Sequence, residues 1–146
     1  MKQDVQRRVT ILLVEDNPAD VTLLQQAVLE YGKLAWRIYQ VADGEAALAF
    51  LRQDGVYTGM PCPHLIILDI GLPKLDGWDV LKSLRATPAL ATIPVVMWAG
   101  VMTRQDEEQR EALHPRACFA KPMALEEYPH LVQALEQLID EVSLSN

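Results

Sequence analysis

Cysteine is scarce in this chain: Cys62 and Cys118 are the only two in 146 residues, far apart and without the paired spacing of a metal site. Sequence alone leaves one bridge between them open, but their scarcity points to a reducing compartment and no disulfide framework. Positive charge is short as well. Thirteen Lys and Arg stand against twenty Asp and Glu, a net charge of −7, which argues against an electrostatic grip on nucleic acid or anionic lipid. Lys2, Arg7 and Arg8 form a small basic patch that reads as a frayed, solvated terminus. The opening MKQDVQRRV lacks an apolar signal-peptide core, and no run approaches membrane length, so a cytoplasmic protein without a membrane partner is expected. His64, His114 and His130 share no ligand spacing and read as loop or surface residues. Internal repeats and low-complexity segments are absent, and half the residues are hydrophobic. The expectation is one domain over residues 1–146, with its core between about 9 and 142 and short tails.

What the chain does have is a repeated pattern of short apolar runs that end abruptly in charge. Val9–Val14 ends in Glu15 and Asp16, Leu65–Leu68 in Asp69, and Ala117–Ala120 in Lys121 and Pro122. Each run reads as a strand buried on both faces, as in a parallel sheet covered by helices, where ligands bind beyond the carboxyl ends of the strands. Between the runs lie helical patterns. Pro18 opens one that carries Val21, Leu24, Ala27, Val28 and Tyr31 and stops at Gly32. Asp43 and Asp76 are candidate caps of the second and third helices, and Trp36–Val41 alternates like a more exposed strand. Gly55–His64 reads as a long loop.

A fourth apolar run, Val95–Trp98, ends in Ala99 and Gly100, and Thr103 with Asp106 makes a plausible capping box. The helix that follows is nearly all polar and is expected to be marginal or mobile unless a partner covers it. The last helix carries a wide stripe from Leu125 through Tyr128, Leu131, Val132, Leu135, Leu138 and Ile139 to Val142. Five strands alternating with five helices predict an α/β, doubly wound five-stranded parallel sheet with flavodoxin-like strand order.

Clustered carboxylates repel unless a cation sits among them. Hard oxygen donors favour Mg²⁺, and a lysine adds a compact positive charge suited to a phosphoryl oxygen. Together they supply what phosphoryl transfer to an aspartate needs: a nucleophile, charge neutralisation and positioning. An acid after a buried strand is usually only a turn or helix cap, and for any one of these residues that reading is the stronger. It weakens for the set, spread over three strand ends in this order.

ILLVEDNPAD, LIILDIGLPKLDGWDVL and CFAKPM resemble the receiver domains of bacterial two-component response regulators, over almost the whole chain. The long loop before Asp69, the NPAD opening and the lack of an output domain resemble the stand-alone regulators that accompany bacterial phytochromes. The resemblance implies that Asp69 is the phosphoacceptor for a sensor histidine kinase, possessing no conventional enzyme activity beyond self-catalysed transfer. It further implies that Glu15 and Asp16 hold Mg²⁺, Asp16 more directly, together with Asp69 and the backbone carbonyl of Gly71. Lys121 would contact the phosphoryl oxygens, Pro122 would follow a cis peptide, and a homodimer would form through the helix 4–strand 5–helix 5 face.

Two positions depart from the family. Its Ser or Thr at the end of strand 4 is Ala99 here, and its inward-turning Tyr or Phe in strand 5 is Cys118. Losing the hydroxyl removes about one charge-assisted hydrogen bond, worth ~1.5–3 kcal/mol. Phosphorylation is expected to persist, with output weakly coupled or rerouted, ordering of the polar Thr103–Leu113 helix being one candidate route. Gly71 and Val101, at positions that in the family influence attack by water, carry no group to hold or activate one, so spontaneous dephosphorylation should be slow. Trp78 lies near the expected site mouth, where packing and a partner contact are equally open. The rival readings are a pseudo-receiver interaction or dimerisation module, and a Mg²⁺-dependent phosphatase, which would need a general acid where Gly71 stands.

Overall fold

The computed structural model describes residues 7–144. Strands β1 (Arg8–Val14), β2 (Ala35–Val41), β3 (Leu65–Asp69), β4 (Val95–Ala99) and β5 (Ala117–Ala120) alternate with helices α1 (Pro18–Tyr31), α2 (Gly44–Arg52), α3 (Gly77–Arg85), α4 (Arg104–Leu113) and α5 (Tyr128–Leu144). All strand pairs are parallel, in the order β2-β1-β3-β4-β5, so the predicted doubly wound architecture is the one found. The caps at Asp43 and Asp76 fall where sequence put them, and Asn17 adds one that the sequence reading did not name. Asn17 accepts from Ala19 N–H ahead of Pro18, Asp43 accepts from Ala46 N–H, and Asp76 shares a capping box with Asp79.

Alternation along the strands sorts the core into two layers. Leu12, Val14, Ile66, Leu68, Val95 and Met97 face α2 and α3, while Ile11, Leu13, Leu65, Ile67, Val96 and Trp98 face α1 and α5. This parity decides which strand-end residues share a face.

Several expectations change. β5 is an edge strand with no fully buried residue, so it is not covered on both sides. The last helix begins at Tyr128, because Leu125 lies in a separate 3-10 turn (Leu125–Glu127) and is 66 % exposed. It also runs to Leu144, into the stretch read as a tail. Arg7 is not frayed: it pairs with Asp140 at 2.8 Å, and its carbonyl accepts from Ala35 N–H. Lys2 lies outside the described residues. Both cysteines are free thiols.

Glu136 is a buried acid inside the apolar stripe of α5. Its carboxylate accepts from the backbone N–H of Lys33 and Leu34 at 3.0 Å and from Trp36 Nε1 at 2.7 Å, pinning the turn between α1 and β2. Gly32 ends α1 at φ −72, so its glycine is required by space and not by a left-handed backbone; a Cβ there would meet Val28 O at 2.5 Å and Glu136 Oε2 at 3.2 Å. Glu136→Gln turns an amide NH₂ toward donors that need an acceptor. It should cost about 2 kcal/mol, some 6 °C in thermal midpoint, measurable by calorimetry.

Candidate metal centre

Glu15 continues the parity of Ile11 and Leu13, Asp69 that of Leu65 and Ile67, and Lys121 that of Ala117 and Phe119. All three therefore reach the α1/α5 side of the strand ends, the side that Trp98 of β4 also faces. Lys121 Nζ sits 5.3 Å from the Trp98 ring's centroid and reaches Asp69 Oδ2 at 3.3 Å. It lies 2.8 Å from Glu15 Oε1, a close ion pair poorly directed for a hydrogen bond, and 3.0 Å from Asp20 Oδ2.

Glu15 is wholly buried and Asp69 is 4 % exposed, whereas Asp16, of the opposite parity, is exposed. Asn17 N–H donates to Glu15 Oε2 at 3.0 Å, and Gly71 N–H donates to Asp69 Oδ1 at 3.1 Å. Burial pushes the Glu15 carboxyl up to about 7, although Lys121 and the Asn17 N–H pull it back. Burial would lower Lys121, but Glu15 and Asp20 outweigh it and hold the ammonium firmly charged.

Carboxylate oxygens of Glu15, Asp16 and Asp69 lie within 4.8 Å of one another. An all-oxygen, anionic donor set of this size fits a hard divalent cation. The cluster borders a cleft of about 400 Å³ that Gly71, Ala99, Val101, Asp106 and Lys121 also line.

Each strand-end residue expected at the site is there. Gly71 lines the cleft, and Ala99 borders it without a polar group. Cys118 does not line it; the thiol packs against the α2/α3 layer, and burial pushes its pKa up. The Lys121–Pro122 peptide is trans, unlike the cis bond that the resemblance implied, consistent with the general trans preference of X–Pro bonds.

Sequence reasoning missed Asp20 and the second role of Asp106. Asp20 lies one helical turn after Asp16, a spacing that places it beside the strand ends once α1 starts at Pro18. Asp106 does more than cap α4: it accepts from Thr103 N–H at 2.9 Å and from Trp78 Nε1 at 3.0 Å. Burial alone would raise Asp106, but these bonds bring it below the ordinary carboxylate range. At the other end of α4, Arg85 donates to the carbonyls of Leu113 and His114 at 2.8 and 3.0 Å. The polar helix buries no residue, and α3 contacts it at both ends.

Residues 11–136 match the family model of the response regulator receiver domain. Response regulator Rcp1 of Synechocystis sp. is 39% identical over 126 residues, covering 86% of this chain and 85% of that protein. The crystal structure of the phosphorylated cyanobacterial phytochrome response regulator RcpA superimposes with a TM-score of 0.81 at 35% identity, covering 89% of this chain and 92% of that one. The Mn²⁺-bound form of Rcp1 gives 0.79 at 38% identity, covering 88% and 91%.

Proposed function

The chain belongs to the response regulator receiver domain family, and from that membership we propose that Asp69 takes a phosphoryl group from a sensor histidine kinase with the help of Mg²⁺. The observation that supports this most directly is a buried carboxylate held between an acid cluster and one ammonium. A carboxylate oxygen of Asp69 forms the new O–P bond as the N–P bond to the kinase histidine breaks. The electron pair returns to that imidazole nitrogen, and with the proton already on the other ring nitrogen the histidine leaves as neutral imidazole. Lys121 stands within reach of Asp69 Oδ2 to meet the phosphoryl oxygens. Glu15, Asp16 and Asp69, with the Gly71 carbonyl, would hold the Mg²⁺, which neutralises carboxylate and phosphoryl charge when bound. Chemistry ends there, since an aspartyl phosphatase needs a general acid that Gly71 cannot supply.

The partner we propose is a kinase of the bacterial phytochrome type, because RcpA is a phytochrome response regulator. A homodimer through α4, β5 and α5 suits the half-exposed edge strand and the unburied α4. No helix among the described residues is long and apolar enough to cross a membrane, and we place the protein in the cytoplasm with its kinase.

Incubation with acetyl phosphate and Mg²⁺ followed by intact mass tests the reading. One added phosphoryl group is expected, absent in Asp69→Asn and lost only slowly once acetyl phosphate is removed. No gain in the parent, even with a kinase, would favour the pseudo-receiver.

A further inference from the structure

Lys121 has three carboxylate partners, and two of them, Glu15 and Asp69, belong to the cluster that fits a cation. The third, Asp20, stands outside that cluster, 3.0 Å from Nζ. We infer that Asp20 is a positioning residue: it holds the Lys121 ammonium at the rim of the cluster once Glu15 and Asp69 are committed to the cation and the phosphoryl group. The inference rests on the Asp69 reading above and extends it to a residue with no part in the acid cluster.

The placement is rigid on both sides. Asp20 is in the first turn of α1, whose start is fixed by the Asn17 cap, by Pro18 and by the bond from Asn17 N–H to Glu15 Oε2. Lys121 follows β5 directly, its N–H donating to Ala99 O at 2.8 Å, and its ammonium is backed by the Trp98 ring. The side chains of Lys121 and Asp20 are 15 % and 21 % exposed, so the pair is only partly screened by water. With Asp20 removed, the remaining acids draw the ammonium inward, into the region the cation and phosphoryl group need. The simpler account of Asp20 is a first-turn acid that complements the helix dipole. That account predicts a small change in stability and none in transfer.

The test compares Asp20→Asn and Asp20→Glu with the parent in three measurements: phosphoryl uptake from acetyl phosphate at saturating Mg²⁺, Mg²⁺ affinity by calorimetry, and the NMR resonance of the Lys121 ammonium in Mg²⁺-free protein. Asp20→Asn should slow uptake roughly 10-fold or more, as misplacing a reacting partner by about 1 Å does. It should also shift the Lys121 resonance and weaken Mg²⁺ binding by less than it slows uptake, while Asp20→Glu recovers uptake and resonance. Unchanged uptake in Asp20→Asn beside a phosphorylated parent overturns the inference, as does an unmoved Lys121 resonance. Mg²⁺ affinity falling in step with uptake overturns it too, since Asp20 would then serve the cation. A parent that takes up no phosphoryl group removes the Asp69 reading, and this inference with it.

Discussion

Lys121→Met is expected to lower the thermal midpoint by about 10 °C at about pH 8, equivalent to about 3 kcal/mol, because it strands buried carboxylates without their cation. Glu15 is wholly buried and Asp69 nearly so, and the ammonium lies 2.8 Å from the first and 3.3 Å from the second. The pH dependence has a definite sign. A carboxyl raised in the folded state binds more protons folded than unfolded, so its protonation favours folding at low pH and that support is lost as pH rises. Glu15 already stands at about 7 with Lys121 beside it, and without the lysine the loss extends to higher pH. The deficit of Lys121→Met should therefore shrink as pH falls from about 8 towards 7 and level off below that. Millimolar Mg²⁺ should shrink it as well, because the variant's acid cluster binds the cation without competition from the ammonium and so gains more from it than the parent does. Thermal melts at several pH values, with and without Mg²⁺, measure both effects. A deficit that does not depend on pH would mean that the lysine contributes packing alone.

Gly77→Ala should cost about 3 kcal/mol, the upper end for inserting a carbon into filled space, and should slow phosphoryl uptake roughly 10-fold or more. Its Cβ would fall 2.4 Å from the carbonyl oxygen of Asp69 and 2.9 Å from the Cα of Ile70. Those are backbone atoms, with no rotamer to relieve the overlap. Gly77 also donates its N–H to Ile70 O at 2.9 Å, which ties the start of α3 to the loop after Asp69. Pushing them apart moves Asp69 itself. Gly100→Ala is the control, as a Cβ there meets nothing within 4 Å, and its stability should stay within about 0.5 kcal/mol of the parent. Urea unfolding and uptake from acetyl phosphate measure the two variants. Equal stability of Gly77→Ala and Gly100→Ala would refute the close-approach account.

The switch positions separate what each kind of information reveals. Ala99 and Cys118 were recognisable in sequence as departures from the family pattern. Their surroundings were not. Parity puts Cys118 on the α2/α3 layer, away from the cleft, while Ala99 borders the cleft without a donor. In the polar α4, helical periodicity registers the lack of apolar packing and not the polar clamps. Trp78 and Arg85 reach it across more than twenty residues of chain, a relation that no local pattern encodes.

Sequence by itself determined the alternation of strands and helices, the caps at Asp43, Asp76 and Thr103, and the convergence of Glu15, Asp16, Asp69 and Lys121 at one sheet edge. These follow from short-range rules: apolar runs make buried strands, capping side chains bond N–H groups two or three residues on, and parallel strands all end on the same edge. Only the tertiary structure decided that Asp20 shares Lys121, that Asp106 joins α3 to α4 beside the cleft, and that Glu136 closes the turn after α1. Each depends on a side chain meeting a group distant in sequence, at a distance set by packing the helices against the sheet. The strand-end charges thus mark where the site lies, and the fold decides which acid governs its lysine.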